Sequence, residues 1–311
     1  MPNRTPLFGV QQPGGALTVQ DLEQHPRNVW FVDSAAAGAS DSVGSGQHPD
    51  TPFLTLAYAF SSDLMASGDV CYVMPGHTEA VAAARGIIID RPGVKVIGLG
   101  WGAARPTFTG TTAATVTIEI DGASIWLENL LFVAGFTNGI TQFVDVKTAS
   151  HDLMFKNCEW RETLNTQEFL KAVTIEATNN RITFDGCRFR SIVGGDSPSA
   201  IFVEGAALDL RVLNCTFNGD WLDAVIDGDA AAITHPEFGN LMIRNADPTN
   251  GFAITIDAAT IGTFYNCHIL TQKANTVPIA VVTASFFSEV YGTDVAATNA
   301  IVLPAAATAW T

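Results

Sequence analysis

Leu153-Met154-Phe155-Lys156-Asn157-Cys158-Glu159-Trp160 returns as Ile182-Thr183-Phe184-Asp185-Gly186-Cys187-Arg188-Phe189, and again as Leu210-Arg211-Val212-Leu213-Asn214-Cys215-Thr216-Phe217. With each cysteine taken as position zero, apolar residues stand at −5, −3, 0 and +2. Position −1 is Asn157, Gly186 or Asn214, residue types that tolerate a left-handed backbone. The apolar spacing changes from two to three across that residue and then returns to two. Two short strands joined by a sharp bend produce this pattern, because side chains alternate along a strand and a bend resets the count.

The frame extends in both directions. It fits Val94, Val96, Leu99 and Trp101, then Ile125, Leu127, Leu130 and Phe132, and with one lapse Gly262, Phe264, Cys267 and Ile269. Leu241, Ile243, Ala246 and Pro248 fit half-way. Zero positions are then Leu99, Leu130, Cys158, Cys187, Cys215, Ala246 and Cys267, at intervals of 31, 28, 29, 28, 31 and 21 residues. Thr293 reads as a degraded eighth member. The bend position carries Gly98, Asn129, Asn157, Gly186, Asn214, Asn245 and Asn266. Twelve residues before zero lie β-branched runs around Ile118, Val146, Ile175 and Val203, the signal of another strand.

Two or three short strands per repeat, a fixed bend and a period near 28 describe one coil of a right-handed parallel β-helix, in an all-β chain of about 7–8 coils. Like residues would stack at roughly 4.8 Å, giving a rod of roughly 35 Å. Leu99, Leu130, Cys158, Cys187, Cys215 and Cys267 would line an internal ladder, since a free thiol packs as a small hydrophobe. Asn129, Asn157, Asn214, Asn245 and Asn266 would form a ladder of amides at the turn. A β-sandwich is the competing architecture, but it has no reason to repeat both signatures at near-constant intervals.

Four segments follow. Residues 1–28, with Pro2, Pro6, Pro13 and Pro26, read as an extended arm. Residues 29–85 read as an N-terminal cap with a helix over 53–66, whose Phe53, Ala57, Phe60 and Leu64 share a face. Residues 86–295 form the β-helix and 296–311 a C-terminal tail.

The chain has 311 residues, 47% hydrophobic and 15% charged, with a net charge of −15. That much apolar material builds a long core, and the charge disfavours nucleic acid as a partner. There is no apolar run long enough to span a membrane and no leader-like segment at the N-terminus, so synthesis in a cytoplasm is expected. Five cysteines without C-x-x-C spacing argue against a disulfide framework, and none of the six histidines pairs with another at metal-ligand spacing. No metal and no cofactor is expected.

Paired carboxylates are the signature to seek in a hydrolase. The best local cluster is Asp220, Asp223, Asp227 and Asp229, with Trp221 beside it. An acidic solvated loop explains it as well, and no Gly-His-Gly or Arg-Ile-Lys segment accompanies it. Asp220, Asp223 and Asp227 remain the catalytic candidates. Arg188 and Arg190 flank Phe189 and are expected on the solvent face. His77 and Glu79 follow a strand and are expected to close a turn.

An ordered series carries a resemblance. It runs Phe31-Val32-Asp33-Ser34, Pro52-Phe53-Leu54-Thr55-Leu56-Ala57-Tyr58-Ala59, Gly68-Asp69-Val70, Pro75-Gly76-His77-Thr78-Glu79, Val94 to Gly102, and Arg105-Pro106-Thr107-Phe108. Together with the repeat, over roughly residues 29–295, it resembles the pectin-lyase-like, right-handed β-helix virion proteins of tailed bacteriophages. The resemblance implies a β-helix in a phage particle. On that basis we expect a non-enzymatic capsid decoration or cement protein on the head exterior, in contact with the major capsid protein and with copies of itself as a homotrimer. The alternative is a tail-spike or receptor-binding protein that binds or cleaves host surface polysaccharide, as a lyase or glycoside hydrolase would.

Overall fold

The computed structural model describes residues 28–148, 150–195, 197–249, 251–257, 260–272, 279–280 and 286–294. The expected arm at 1–28, apart from Asn28, and the expected tail at 296–311 lie outside them.

The chain winds as a right-handed parallel β-helix of about seven turns. Every strand pairing between successive coils is parallel. Three faces run along the rod. Face A contains Val29–Val32, Val70–Val73, Lys95–Gly98, Trp126–Glu128, Met154–Lys156, Thr183–Asp185 and Arg211–Leu213. Face B contains Thr78–Val81, Thr107–Gly110, Leu131–Ala134, Glu159–Arg161, Arg188–Arg190, Thr216–Gly219 and Met242–Asn245. Strand Ile261–Thr271 passes through the bend and belongs to both, joining A and B into one sheet. Face C is a separate sheet of Ile87–Ile89, Ile118–Ile120, Val144–Val146, Lys171–Ile175, Ser199–Val203, Ala224–Gly228, Phe252–Ile256 and Ile279–Ala280.

Inward residues stack on their own kind. Phe155 and Phe184 stack at 4.8 Å, Trp160 and Phe189 at 4.5 Å, and Phe189 and Phe217 at 4.8 Å, with planes within about 10°. Each coil therefore repeats the interface of the last, and an aromatic placed in one coil fits the next.

The bend between faces A and B has a left-handed residue in the coils from Asn129 onward: Asn129, Asn157, Gly186, Asn214, Asn240 and Asn266, whereas Gly98 is not left-handed. Asn245 is not among them. It is buried five residues past its bend, where its amide bridges Trp221 and Phe252. Zero in that coil is accordingly Leu241 rather than Ala246, with Phe238 and Ile243 completing the frame. The two irregular intervals around Ala246 become two of 26 residues. Leu99 also departs from the expected column. It is half-buried at the start of a longer connection, and Pro106 stands beneath Leu130, its carbonyl accepting from Leu131. His77 lies below that, its carbonyl accepting from Thr107. At the far end Val290, not Thr293, pairs with Cys267.

The buried thiols have a shared polar task. Cys158, Cys187, Cys215 and Cys267 each lie within donor distance of a carbonyl in the coil below, those of Leu127, Phe155, Phe184 and Phe238. A cysteine thus fills core volume and meets a backbone acceptor at the bend, which an alanine or valine could not do. Burial pushes the Cys158 thiol up to about 12. The amides form a hydrogen-bonded ladder over the later coils, Asn266 donating to Asn240, Asn240 to Asn214, and Asn214 to Asp185.

The cap helix covers Leu56–Ser61, shorter than the expected 53–66. Thr55 caps it, its hydroxyl accepting from Tyr58 N. Glu79 accepts from Leu56 N and Ala57 N, and buried His77 accepts from Ser34 N at Nδ1 while Nε2 lies 3.2 Å from Glu79. His77 and Glu79 thus tie the helix start to face B, leaving the imidazole both nitrogens engaged.

Candidate functional site

Strand alternation sends Ile118, Ile120, Val144, Val146, Val173 and Ile175 into the core. The residues between them point outward on face C. In register these are Ile88, Glu119, Asp145, Thr174, Phe202, Asp227, Thr255 and Ala280. Outward residues on a sheet are ordinarily wet, yet Glu119, Asp145, Thr174 and Asp227 are buried. Asp145 Oδ1 and Thr174 Oγ1, on adjacent coils, have no hydrogen-bond partner among the described residues.

One ammonium organises the lower half of this row. Lys147 Nζ stands 2.6 Å from Asp145 Oδ2, 2.6 Å from Glu176 Oε1 and 3.6 Å from Glu119 Oε1. Gln142 Nε2 donates to Asp145 Oδ2, and Arg85 Nε lies 3.0 Å from Glu119 Oε2 without the angle of a hydrogen bond. Burial would lower the Lys147 pKa, but its hydrogen bonds to Asp145 and Glu176 outweigh that and raise it. Lys147 is therefore a fixed cation rather than a base at neutral pH. Burial raises Asp145 above the usual carboxylate range, the Lys147 contacts oppose this, and the charges of Glu176 and Glu119 add to it.

The upper half holds an aromatic and a carboxylate pair. Lys171 Nζ sits over the Phe202 ring at 3.4 Å. Asp227 Oδ1 accepts from Thr255 Oγ1 at 3.0 Å. Burial and then the charge of exposed Asp229 raise Asp227. A carboxyl whose proton affinity is raised by burial is suited to protonate a leaving group.

The expected cluster is divided. Asp227 faces outward on face C, whereas Asp220 lies at the corner between faces B and C, where its Oδ2 accepts from Gly194 N and its Oδ1 has no hydrogen-bond partner among the described residues. Asp223 is exposed on the same corner, and its backbone meets Pro198 and Phe252. The corner ends where the strand Ala224–Gly228 begins, so three sequence neighbours take different directions. Asp220 and Asp223 are thus not part of one carboxylate site with Asp227.

Three groups were missed by sequence reading. Glu119, Asp145 and Lys147 carry no local motif, and they meet only because coils three and four stack. Glu162 was missed too. Buried at the B–C corner, it accepts from Phe169 N, Ile192 N and Ser197 Oγ, and it borders a cavity of about 10 Å³, room for a single water. Burial raises its pKa against those hydrogen bonds.

These carboxyls set a pH dependence. Asp145, Glu162 and Asp227 bind protons more readily folded than unfolded, so the stability they hold is complete below the ordinary carboxylate range. It is lost as pH rises through their raised folded values. The melting temperature is expected to be higher at about pH 5 than at about pH 8, and Asp145→Asn should flatten part of that slope. A melting temperature that climbs steadily with pH over this interval would refute it.

Among the described residues no group of three or more His, Cys, Asp or Glu side chains is placed to hold a metal ion, and no helix is long and apolar enough to cross a membrane. No family model matches the chain, and no curated protein matches it. Among solved structures it is similar to one described as a rhamnogalacturonan lyase, with a TM-score of 0.48 and 14% identity over 84% of this chain and 86% of that one. Against the expectation of a non-enzymatic protein, the protein named in this comparison is an enzyme. What the chain has in common with that protein is the parallel β-helix fold.

Proposed function

We propose that the protein holds and cuts a polysaccharide along face C, as a tail-spike or receptor-binding component of a phage particle does. The observation that carries this reading is the row Glu119, Asp145, Thr174, Phe202 and Asp227, one outward polar or aromatic group per coil at roughly 4.8 Å. An extended glycan laid along face C would pass over this row, with half-buried Phe202 and Thr255 and exposed Asp229 at its surface. Asp227 is assigned the general acid and Asp229 the base.

Incubation with host capsule or lipopolysaccharide tests this through release of oligosaccharide. Asp227→Asn is expected to lower the release rate by about a hundredfold, the lower end for loss of a positioned acid. Retention of full activity in that variant would remove Asp227 from the chemistry.

The reading as a capsid decoration protein on the head exterior has its own support in face B. Its outer surface carries Met242, Arg244 and Leu270, all open to a neighbouring subunit or a capsid surface. Electron cryo-microscopy of the intact particle separates the two by locating the protein at head or tail.

A further inference from the structure

The outer side of face B concentrates positive charge in a chain of net −15. Glu159 and Arg188 are in register on adjacent coils, and so are Arg161 and Arg190. Arg105 reaches them from the bend below. Glu159 is almost fully buried beneath these guanidinium groups: Arg105 Nη1 is 3.0 Å from Oε2, Arg161 Nη2 2.7 Å and Arg190 Nε 3.7 Å from Oε1. Arg105 is fixed further by Asn129 Oδ1 and Asn157 O. Arg188 is exposed, and its guanidinium has no partner among the described residues. The next outward positions on the following coil are Thr216 and Asn218, which are uncharged.

Four arginines against one carboxylate leave an excess of positive charge within about two coils. Like charges facing each other across neighbouring strands are unfavourable, and Arg161 and Arg190 are such a pair. Glu159 offsets part of this and also aims the forks of Arg105, Arg161 and Arg190, which are tethered to it. Guanidinium groups held in this way match the oxygens of a tetrahedral anion. The overall acidity of the chain repels an extended polyanion, but screening over about 8 Å at physiological salt leaves a compact anion to feel mainly the local arginines.

We propose that Arg161 and Arg190, positioned by Glu159 and Arg105, together with exposed Arg188 in register with Glu159, bind one tetrahedral oxyanion, phosphate or sulfate, either free or as an ester on a larger molecule. The site is on a different face from the glycan row and does not depend on that reading.

Calorimetric titration of the full chain with inorganic phosphate, inorganic sulfate and glucose 6-phosphate, with glucose as the neutral control and ionic strength held constant, tests it. Saturable binding at one site is expected for the anions and none for glucose. Arg188→Ala and Arg190→Gln should each weaken it by about tenfold or more, as loss of one charge-assisted contact does. Both side chains are exposed, so the melting curves should match the parent chain, and Lys95→Ala on face A should bind as before. Tighter binding of the ester than of inorganic phosphate identifies an esterified ligand, and equal binding identifies the free ion. The absence of saturable heat with every anion, or equal affinity in the parent and both arginine variants, would overturn the proposal.

Discussion

Phe184→Asp is expected to abolish folding. Phe184 is fully buried, stacked on Phe155 at 4.8 Å and packed against Trp160 and Phe189. Truncating a buried phenylalanine costs about 3–5 kcal/mol from lost transfer energy and the cavity left behind. The introduced carboxylate adds several kcal/mol more, because the aromatic stack offers no cation or donor to meet it. The total is comparable to the whole stability of an ordinary domain, about 5–15 kcal/mol. Neighbouring coils cannot relax around the charge, since each is held in register on both sides. Circular dichroism and solubility of the expressed chain check this. A soluble Phe184→Asp variant with a cooperative melt would mean that Phe184 is not in the core.

Asp69→Ala is expected to lower stability by about 3–5 kcal/mol, as several buried donors lose their acceptor at once. The Asp69 carboxylate is fully buried and accepts from Asn28 N at 3.0 Å, Asn28 Nδ2 at 3.1 Å, Trp30 Nε1 at 2.8 Å and Ala66 N at 2.9 Å. It thereby joins the first strand, Val29–Val32, to the segment that follows the cap helix, and both close the open end of the rod. Trp30 is buried, so its indole N–H has no route to water once the carboxylate is gone. Thermal unfolding should show an early loss of tryptophan signal as the cap loosens before the coils melt. Asp69→Asn, which keeps one acceptor oxygen, should fall between the two. A melting curve for Asp69→Ala that overlays the parent chain would show that the cap is held by its apolar contacts alone.

The repeat was legible because a solenoid places chemically similar residues in similar surroundings. Cys158, Cys187 and Cys215 recur at near-constant spacing since each meets the same core and the same carbonyl geometry. The bend residues were legible for a backbone reason, the positive φ that Asn and Gly accept. The frame failed at Leu99 and Asn245. There the connection lengthens or a second asparagine follows close behind, and spacing alone cannot say which of Asn240 and Asn245 takes the left-handed turn.

The sequence by itself determined the winding: which residues alternate inward, where most coils bend, and that the coils are parallel. All of that is local periodicity repeated, and local periodicity can be counted. Only the tertiary structure decided what the outside of the rod can do. Glu119, Asp145 and Lys147 come from separate coils or strand ends, as do Arg105, Glu159 and Arg190, and each set becomes a site through stacking at roughly 4.8 Å across some 25–30 residues of chain. Outward residues answer to no shared core, so they follow no period, and the strength of each carboxyl depends on burial and neighbours that appear only when the coils are laid one on another.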